Sequence, residues 1–287
     1  MIDELERDSS LDEPDRLRLR IESLDWLDAW LMDEPLQAPC SPPIEAELRN
    51  RARVLYSRLE SANARLYDAI QRGIQLAGGP RTLLPVLPAY PEGAAGARSA
   101  PRGEGYDYLD ELISGVFQFQ GPHADGVQLA TDMVRYQPTP ARHIFDLIQR
   151  TALTERDVLV DLGSGLGHVS LLTAISTGAH SIGIEIEASY VECARRIATK
   201  LNLSRVAFLN QDVRAADLSA GTVFYLYTPF KGAILRAVLD SLKREGSRRP
   251  IRICSFGPCT PVIAAEPWLE IPDVLEPDRI AIFVSRS

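Results

Sequence analysis

This sequence has little cysteine, no long apolar run and no surplus of basic charge. Its four cysteines, Cys40, Cys193, Cys254 and Cys259, are scattered over 287 residues with no C-x-x-C pair. That spacing argues against a disulfide framework and a structural zinc site, and a reducing, cytoplasmic setting is the expectation. No window approaches the ~18 uninterrupted apolar residues of a membrane-spanning helix, so no membrane association is expected. The opening Met1-Ile-Asp-Glu-Leu-Glu is acidic and lacks the basic-then-apolar pattern of a secretory signal. Net charge is −8, yet residues 140–287 carry 17 Lys/Arg against 16 Asp/Glu. The acidity therefore lies ahead of residue 140. Neither part has the basic excess of a non-specific nucleic-acid binder, so nucleic acid is not the expected partner.

What is present is an ordinary globular composition, 45% hydrophobic and 24% charged. Residues 1 to about 15 are polar and read as a frayed tail. Leu17, Ile21, Leu24, Leu27 and Leu31 then recur at helical steps. A longer helix is predicted from Ser41-Pro42-Pro43 to about Leu76, stopped by Gly78-Gly79. Its seam is Leu48, Ala52, Leu55, Leu59, Ala62, Leu66 and Ala69, a narrow stripe of coiled-coil type. Such a stripe packs within the chain, forms a homodimer or receives a partner protein. Residues 1–78 thus form a helical N-terminal region, 79–105 a Pro/Gly/Ala-rich linker, and 106–287 the main domain. In that domain a helix spans 106–119, Val134 to Pro140 is extended and pinned by prolines, and 141–151 is an amphipathic helix. Apolar strand-like runs then alternate with helical segments from Val158 to Val284. This is the pattern of an α/β fold with a mostly parallel, doubly wound sheet.

The chemistry begins at Val158-Leu-Val-Asp161-Leu-Gly163-Ser164-Gly165-Leu-Gly167-His168. Strand, glycine turn and helix let backbone amides approach a nucleotide-type ligand. A triphosphate loop would need G-K-[ST], and no lysine follows the glycines. A dinucleotide loop would need G-x-G-x-x-G, one residue longer than this spacing. The acidic-x-Gly-x-Gly-x-Gly pattern of an S-adenosylmethionine (SAM) loop is filled without departure. Glu185, 24 residues after Asp161, is placed to accept ribose hydroxyls, and Asp212, with Val213 beside it, to accept from an adenine amino group. Glu187 reads as the opening of the next helix.

Residues from about 136 to 284 resemble a class I SAM-dependent methyltransferase. Within that class the loop 161–169, Gly183-Ile-Glu185 and Tyr136-x-x-Thr139 resemble the non-SET histone-lysine methyltransferases of the disruptor-of-telomeric-silencing type. The resemblance implies a seven-stranded Rossmann-like methyltransferase sheet behind an α-helical appendage, SAM as cofactor, and Tyr136 and Thr139 lying over it. At the fourth strand that family has an asparagine-rich stretch, and this chain has Tyr225-Leu-Tyr227-Thr228-Pro229-Phe230. In amino-methylating enzymes this position often reads Asn/Asp-Pro-Pro-aromatic. Thr228 and Phe230 are accordingly the candidate catalytic, substrate-facing residues, with Tyr227 facing cofactor or core.

Of the four histidines, His143 is expected at the surface, His168 beside the loop facing the helix or solvent, and His180 in a structural position at the opposite end of the sheet from the chemistry. His123 is a candidate general base. No His/Asp/Glu/Cys cluster has ligand spacing, so no metal is expected. The basic run Lys243 to Arg252 reads as a solvated face. The expectation is an enzyme that moves a methyl group from SAM to a nitrogen of a protein or small molecule. The alternatives are a SAM-binding module without chemistry and an O-methyltransferase.

Overall fold

The computed structural model describes residues 1–32, 43–77, 105–119 and 136–286. Most of the expected linker, and His123, lie outside these residues. The order is α1 (Ile2–Arg7), α2 (Leu17–Met32), α3 (Pro43–Ala77), α4 (Tyr108–Phe117) and α5 (Ala141–Thr151), followed by the sheet-forming part. That part runs β1 (Val158–Leu162), α6 (His168–Ser176), β2 (His180–Glu185), α7 (Ala188–Lys200), β3 (Val206–Asn210), β4 (Val223–Tyr227), α8 (Gly232–Gly246) and β5 (Arg252–Phe256). It closes with α9 (Thr260–Ala264), β6 (Leu269–Glu270) and β7 (Ala281–Ser285).

The seven strands lie in the order β3-β2-β1-β4-β5-β7-β6. β3, β2, β1, β4 and β5 are parallel, β7 is antiparallel to β5, and β6 is antiparallel to β7. Strand order reverses between β1 and β4, and the crevice above the carboxyl ends of those strands is where such sheets bind ligands. β1, β4 and β5 are buried along almost their whole length. This explains their continuous apolar runs and their easy recognition in the sequence. β6 has only two residues and no apolar run, so nothing in the sequence announces it.

Two expectations for the N-terminal part are corrected. Residues 1–15 are not a frayed tail: Ile2 and Leu11 are buried against α3, and Arg51 on α3 pairs with Asp3 and Glu6. The seam of α3 also leaves the expected register. Ala69 is exposed, and Ile70 and Ile74 are buried in its place. A seam that alternates steps of four and three needs a supercoiled partner helix. A helix packing on several short neighbours keeps its own 3.6-residue period, and the stripe drifts. Here the stripe is covered by the same chain. Ala52, Leu55 and Leu59 meet Ile2, Leu11, Leu24 and Leu27. Leu66, Ile70 and Ile74 share one core with Leu109, Leu112 and Val116 of α4 and with Leu159, Leu171 and Leu172 of the sheet-forming part. Arg20, fully buried on α2, donates to Asn63 Oδ1 at 2.6 Å and to the Glu13 carbonyl at 3.0 Å, which fixes α2 on α3.

α4 joins the helical region to the site. Asp107 and Asp110 form its capping box, and Asp110 Oδ1 also accepts from the Ala141 amide at 2.8 Å, which caps α5. Gln71 Nε2 on α3 donates to the Val116 carbonyl at 2.6 Å. Beside it the Tyr67 ring lies against Gly115, where a Cβ would overlap the ring. Gly115→Ala should therefore destabilise the protein by about 1–3 kcal/mol through overpacking, despite the better helix propensity of alanine. Tyr67→Leu in the same chain should recover part of the loss. Urea titrations of the two variants and the double check this, and a stabilised Gly115→Ala would refute the contact.

Candidate functional site: a glycine loop between two carboxylates

β1 ends in a loop that is tied to β2 by its backbone. The amides of Gly163 and Ser164 both donate to the Ile184 carbonyl, at 2.9 and 3.0 Å. Gly163, Gly165 and Gly167 hold left-handed φ of 88°, 52° and 85°. The need for glycine is steric as well as torsional. At Gly165 a Cβ would land in the Tyr136 ring, and at Gly163 it would land on Pro229. The loop is thus a backbone surface roofed from two directions.

Its two ends carry carboxylates. Glu185 accepts from the Gly165 amide through Oε2 at 2.9 Å, and from the Ile186 and Glu187 amides through Oε1 at 2.8 and 2.9 Å. Asp161 is only 3% exposed. Burial, and then the negative charge of Glu185, push its carboxyl up to about 8. Ser164 is buried, and its hydroxyl has no partner among the described residues. Glu187 is the N-cap of α7, accepting from Ser189.

The segment ahead of α5 closes over this loop. Tyr136 lies on Gly165, its ring 5.1 Å from that of Tyr190 on α7, and its hydroxyl is 3.1 Å from His168 Nδ1. Burial raises the Tyr136 phenol well above its ordinary range. Thr139 Oγ1 shares a hydrogen bond with the Tyr225 hydroxyl on β4 at 2.8 Å, and Tyr106 donates to the Pro138 carbonyl at 3.0 Å. The segment is therefore fastened to the loop, to the sheet and to the residues before α4.

The other sequence-derived candidates fall in different places. Asp212 stands after β3 at the same edge. Its carboxylate accepts from the Arg214 amide at 2.8 Å and from the Arg214 guanidinium, and that guanidinium holds it below the usual carboxylate range. Val213 packs on the core under β4. Tyr227 is half-buried, its ring 5.0 Å from Phe256.

Thr228 and Phe230, the substrate-facing candidates, stand at the exit of β4 in two different surroundings. Thr228 sits at φ 40°, donates to the Phe256 carbonyl at 3.0 Å and accepts from the Cys259 amide at 3.1 Å, so its hydroxyl is occupied in holding the β4 and β5 exits together. Phe230, 5% exposed, packs with Val160, Leu162 and Leu226 in the core. An apolar ring next to an open turn lowers its free energy more by burial than by exposure.

His143 is likewise not at the surface: it is fully buried, 4.6 Å from the Phe256 ring. It lies on the face of α5 that covers the sheet. Within the run 243–252, Lys243, Arg244 and Arg248 are exposed, whereas Arg249 and Arg252 donate to backbone carbonyls at the foot of the sheet. Tyr190, which shapes the site, carried no sequence signal beyond its type. The Tyr136–His168 bond was equally hidden, because the two residues are 32 apart.

The residues present fit a SAM-type ligand. The loop offers backbone with no Cβ in the way, a buried hydroxyl without a partner, and two acids at the junctions where ribose hydroxyls and a positively charged group are expected. Glu185 would hold the ribose, and Asp161, Ser164 and the loop amides the amino-acid end. Comparison with known proteins agrees. Residues 131–224 match the family model described as histone methylation protein DOT1. No curated protein matches the chain. An RNA methyltransferase from Salinibacter ruber, solved with S-adenosyl-L-homocysteine, is 25% identical over 52% of this chain and 92% of that one, with a TM-score of 0.42. A SAM-dependent methyltransferase from Aquifex aeolicus is 17% identical over 50% of this chain and 87% of that one, with a TM-score of 0.39. The family match and the geometry of the site point to the same cofactor.

The carboxyl of Asp161 sets a pH test. Its folded value of about 8 lies above the ordinary 3.8. The folded state therefore holds a proton that the unfolded state loses, and stability contributed below pH 4 is lost as pH rises towards 8. The melting temperature of the ligand-free protein should fall across that window, and Asp161→Asn should flatten the fall. Equal slopes in both proteins would show that Asp161 does not titrate there. The family match opens just before Tyr136 and runs into β4, taking in Tyr136, Asp161, the glycine loop and Glu185 but not Pro229, and the chain is a class I SAM-dependent methyltransferase with a distant likeness to the DOT1 type.

Proposed function

We propose that the methyl acceptor is a nitrogen, on a protein side chain or a small molecule. SAM supplies a methyl group already activated on a sulfonium, so the protein has chiefly to orient the acceptor and keep water out. The observation that carries this reading is the make-up of the β4 and β5 exits. Pro229 brings the β4 exit against Gly163, and behind it stand the rings of Tyr227, Phe256 and His143, at successive spacings of 5.0 and 4.6 Å. Tyr227, half-buried, is the ring a ligand in the crevice can reach. Ring faces attract amines and alkylammonium groups. The other functional groups at these exits are engaged or quenched. The Thr228 hydroxyl is held within its turn, and burial raises the Cys259 thiol. Such a wall suits a nucleophile that brings its own lone pair and loses its proton after transfer. The family match, whose description is histone methylation, supports a protein side chain as the carrier of that nitrogen.

Incubation with methyl-labelled SAM, a mixture of basic proteins and free amines should put label into N-methylated amino acids that survive mild base. Base-labile label would point to oxygen. Intact SAM binding with no label in any fraction would favour a module that binds without chemistry. Tyr227→Ala should lower turnover by roughly threefold to thirtyfold, the range of a cation–π contact, with SAM affinity little changed.

A further inference from the structure

We propose that His168 is a positioning residue for the cofactor: its imidazole locks Tyr136 onto Gly165 and so holds the segment ahead of α5 over the loop. The proposal rests on the methyltransferase reading of that loop. His168 opens α6, directly after the left-handed Gly167. Its Nδ1 lies 3.1 Å from the Tyr136 hydroxyl. The plane of the imidazole is fixed from behind, because Phe119 stacks on it at 4.2 Å and 28°, and Phe117 stands 6.4 Å away. A ring held in this way aims Nδ1 in one direction. Burial also drives the imidazole down to about 3, so it stays neutral and offers one donor and one acceptor.

The bond matters because of where it holds the phenol. Tyr136 fills the space a Cβ at Gly165 would need, and Gly165 is the residue whose amide binds Glu185. A swing of the Tyr136 ring therefore changes the roof of the loop at the point where the carboxylate meets it. The contact also reaches back into the helical region. Phe117 and Phe119 belong to α4 and its C-terminal extension, and α4 is set on α3 through Tyr67 and Gln71. The position of the helical region is thereby communicated to the cofactor loop through one imidazole.

Calorimetric titration with S-adenosylhomocysteine tests this on the full chain, with Tyr136→Phe, His168→Phe, the double variant and His168→Asn. His168→Phe keeps a stacking ring and removes the nitrogen, whereas His168→Asn keeps a donor and acceptor near the place of Nδ1. Each single Phe variant should weaken binding by roughly threefold to tenfold, the worth of one net hydrogen bond, the double should be no weaker than either single, and His168→Asn should stay within about twofold of wild type. A merely structural role would lower the melting temperature without this coupling in affinity. Unchanged affinity in either single Phe variant, or losses that multiply in the double, would overturn the proposal. A wild-type protein that binds no S-adenosylhomocysteine would instead overturn the cofactor reading beneath it.

Discussion

The site depends on one steric constraint, that the loop after β1 has no room for a side chain at Gly163 or Gly165. Pro229 covers Gly163 from β4, Tyr136 covers Gly165 from the segment before α5, and the loop amides are pinned to Ile184 on β2. Each roof comes from a different part of the chain. The loop can keep its left-handed turns only if all three are in place, and the parts need the glycines in order to approach. Close packing makes this arrangement bistable rather than gradually deformable. A displaced Tyr136 or Pro229 leaves a gap that neighbouring side chains cannot fill.

Charge follows from the same closeness. Asp161 is on β1 and Glu185 at the end of β2, and the register that pairs Asp161 with Gly183 brings the two acids to the same loop. Glu185 is bound by three backbone amides, whereas Asp161 is buried and its carboxyl is pushed up to about 8. A ligand that brings positive charge to this pair offsets both the burial and the Glu185 charge that keep the proton on Asp161. A dinucleotide, which brings phosphates, adds negative charge instead. The electrostatics thus favour the same cofactor as the spacing of the glycines, for an independent reason.

How much of this was legible in the sequence varied with the kind of information each feature needs. β1, β2, β4 and β5 are short apolar runs bounded by turns, and the loop is a local pattern, so both were readable within a residue or two. The seam of α3 was readable as a seam but not in its last register, because Ile70 and Ala69 exchange roles according to what packs on the helix. The surroundings of Thr228 and Phe230 were hidden for a similar reason. Their types suit a substrate wall, but which way a turn faces depends on Phe256 and Cys259, some thirty residues away in sequence. His143 was misplaced because polarity alone said surface, while its helix face pointed at the sheet. Long-range partners of polar side chains are the information a single sequence withholds, and the Tyr136–His168 and Thr139–Tyr225 bonds are of that kind.

The three acidic points of the cofactor crevice also differ in how firmly they are held. Asp161 is buried, and Glu185 is bound by backbone amides, so neither can move without disturbing β1, β2 or the start of α7. Asp212 is different. It is about one-third exposed, at 32%, and its main partner is Arg214, itself 53% exposed. An ion pair of that exposure contributes about 0–1 kcal/mol, so the arginine can turn away to solvent at little cost while the Arg214 amide remains bonded. The first two junctions are therefore rigid, whereas the third can rearrange at little cost.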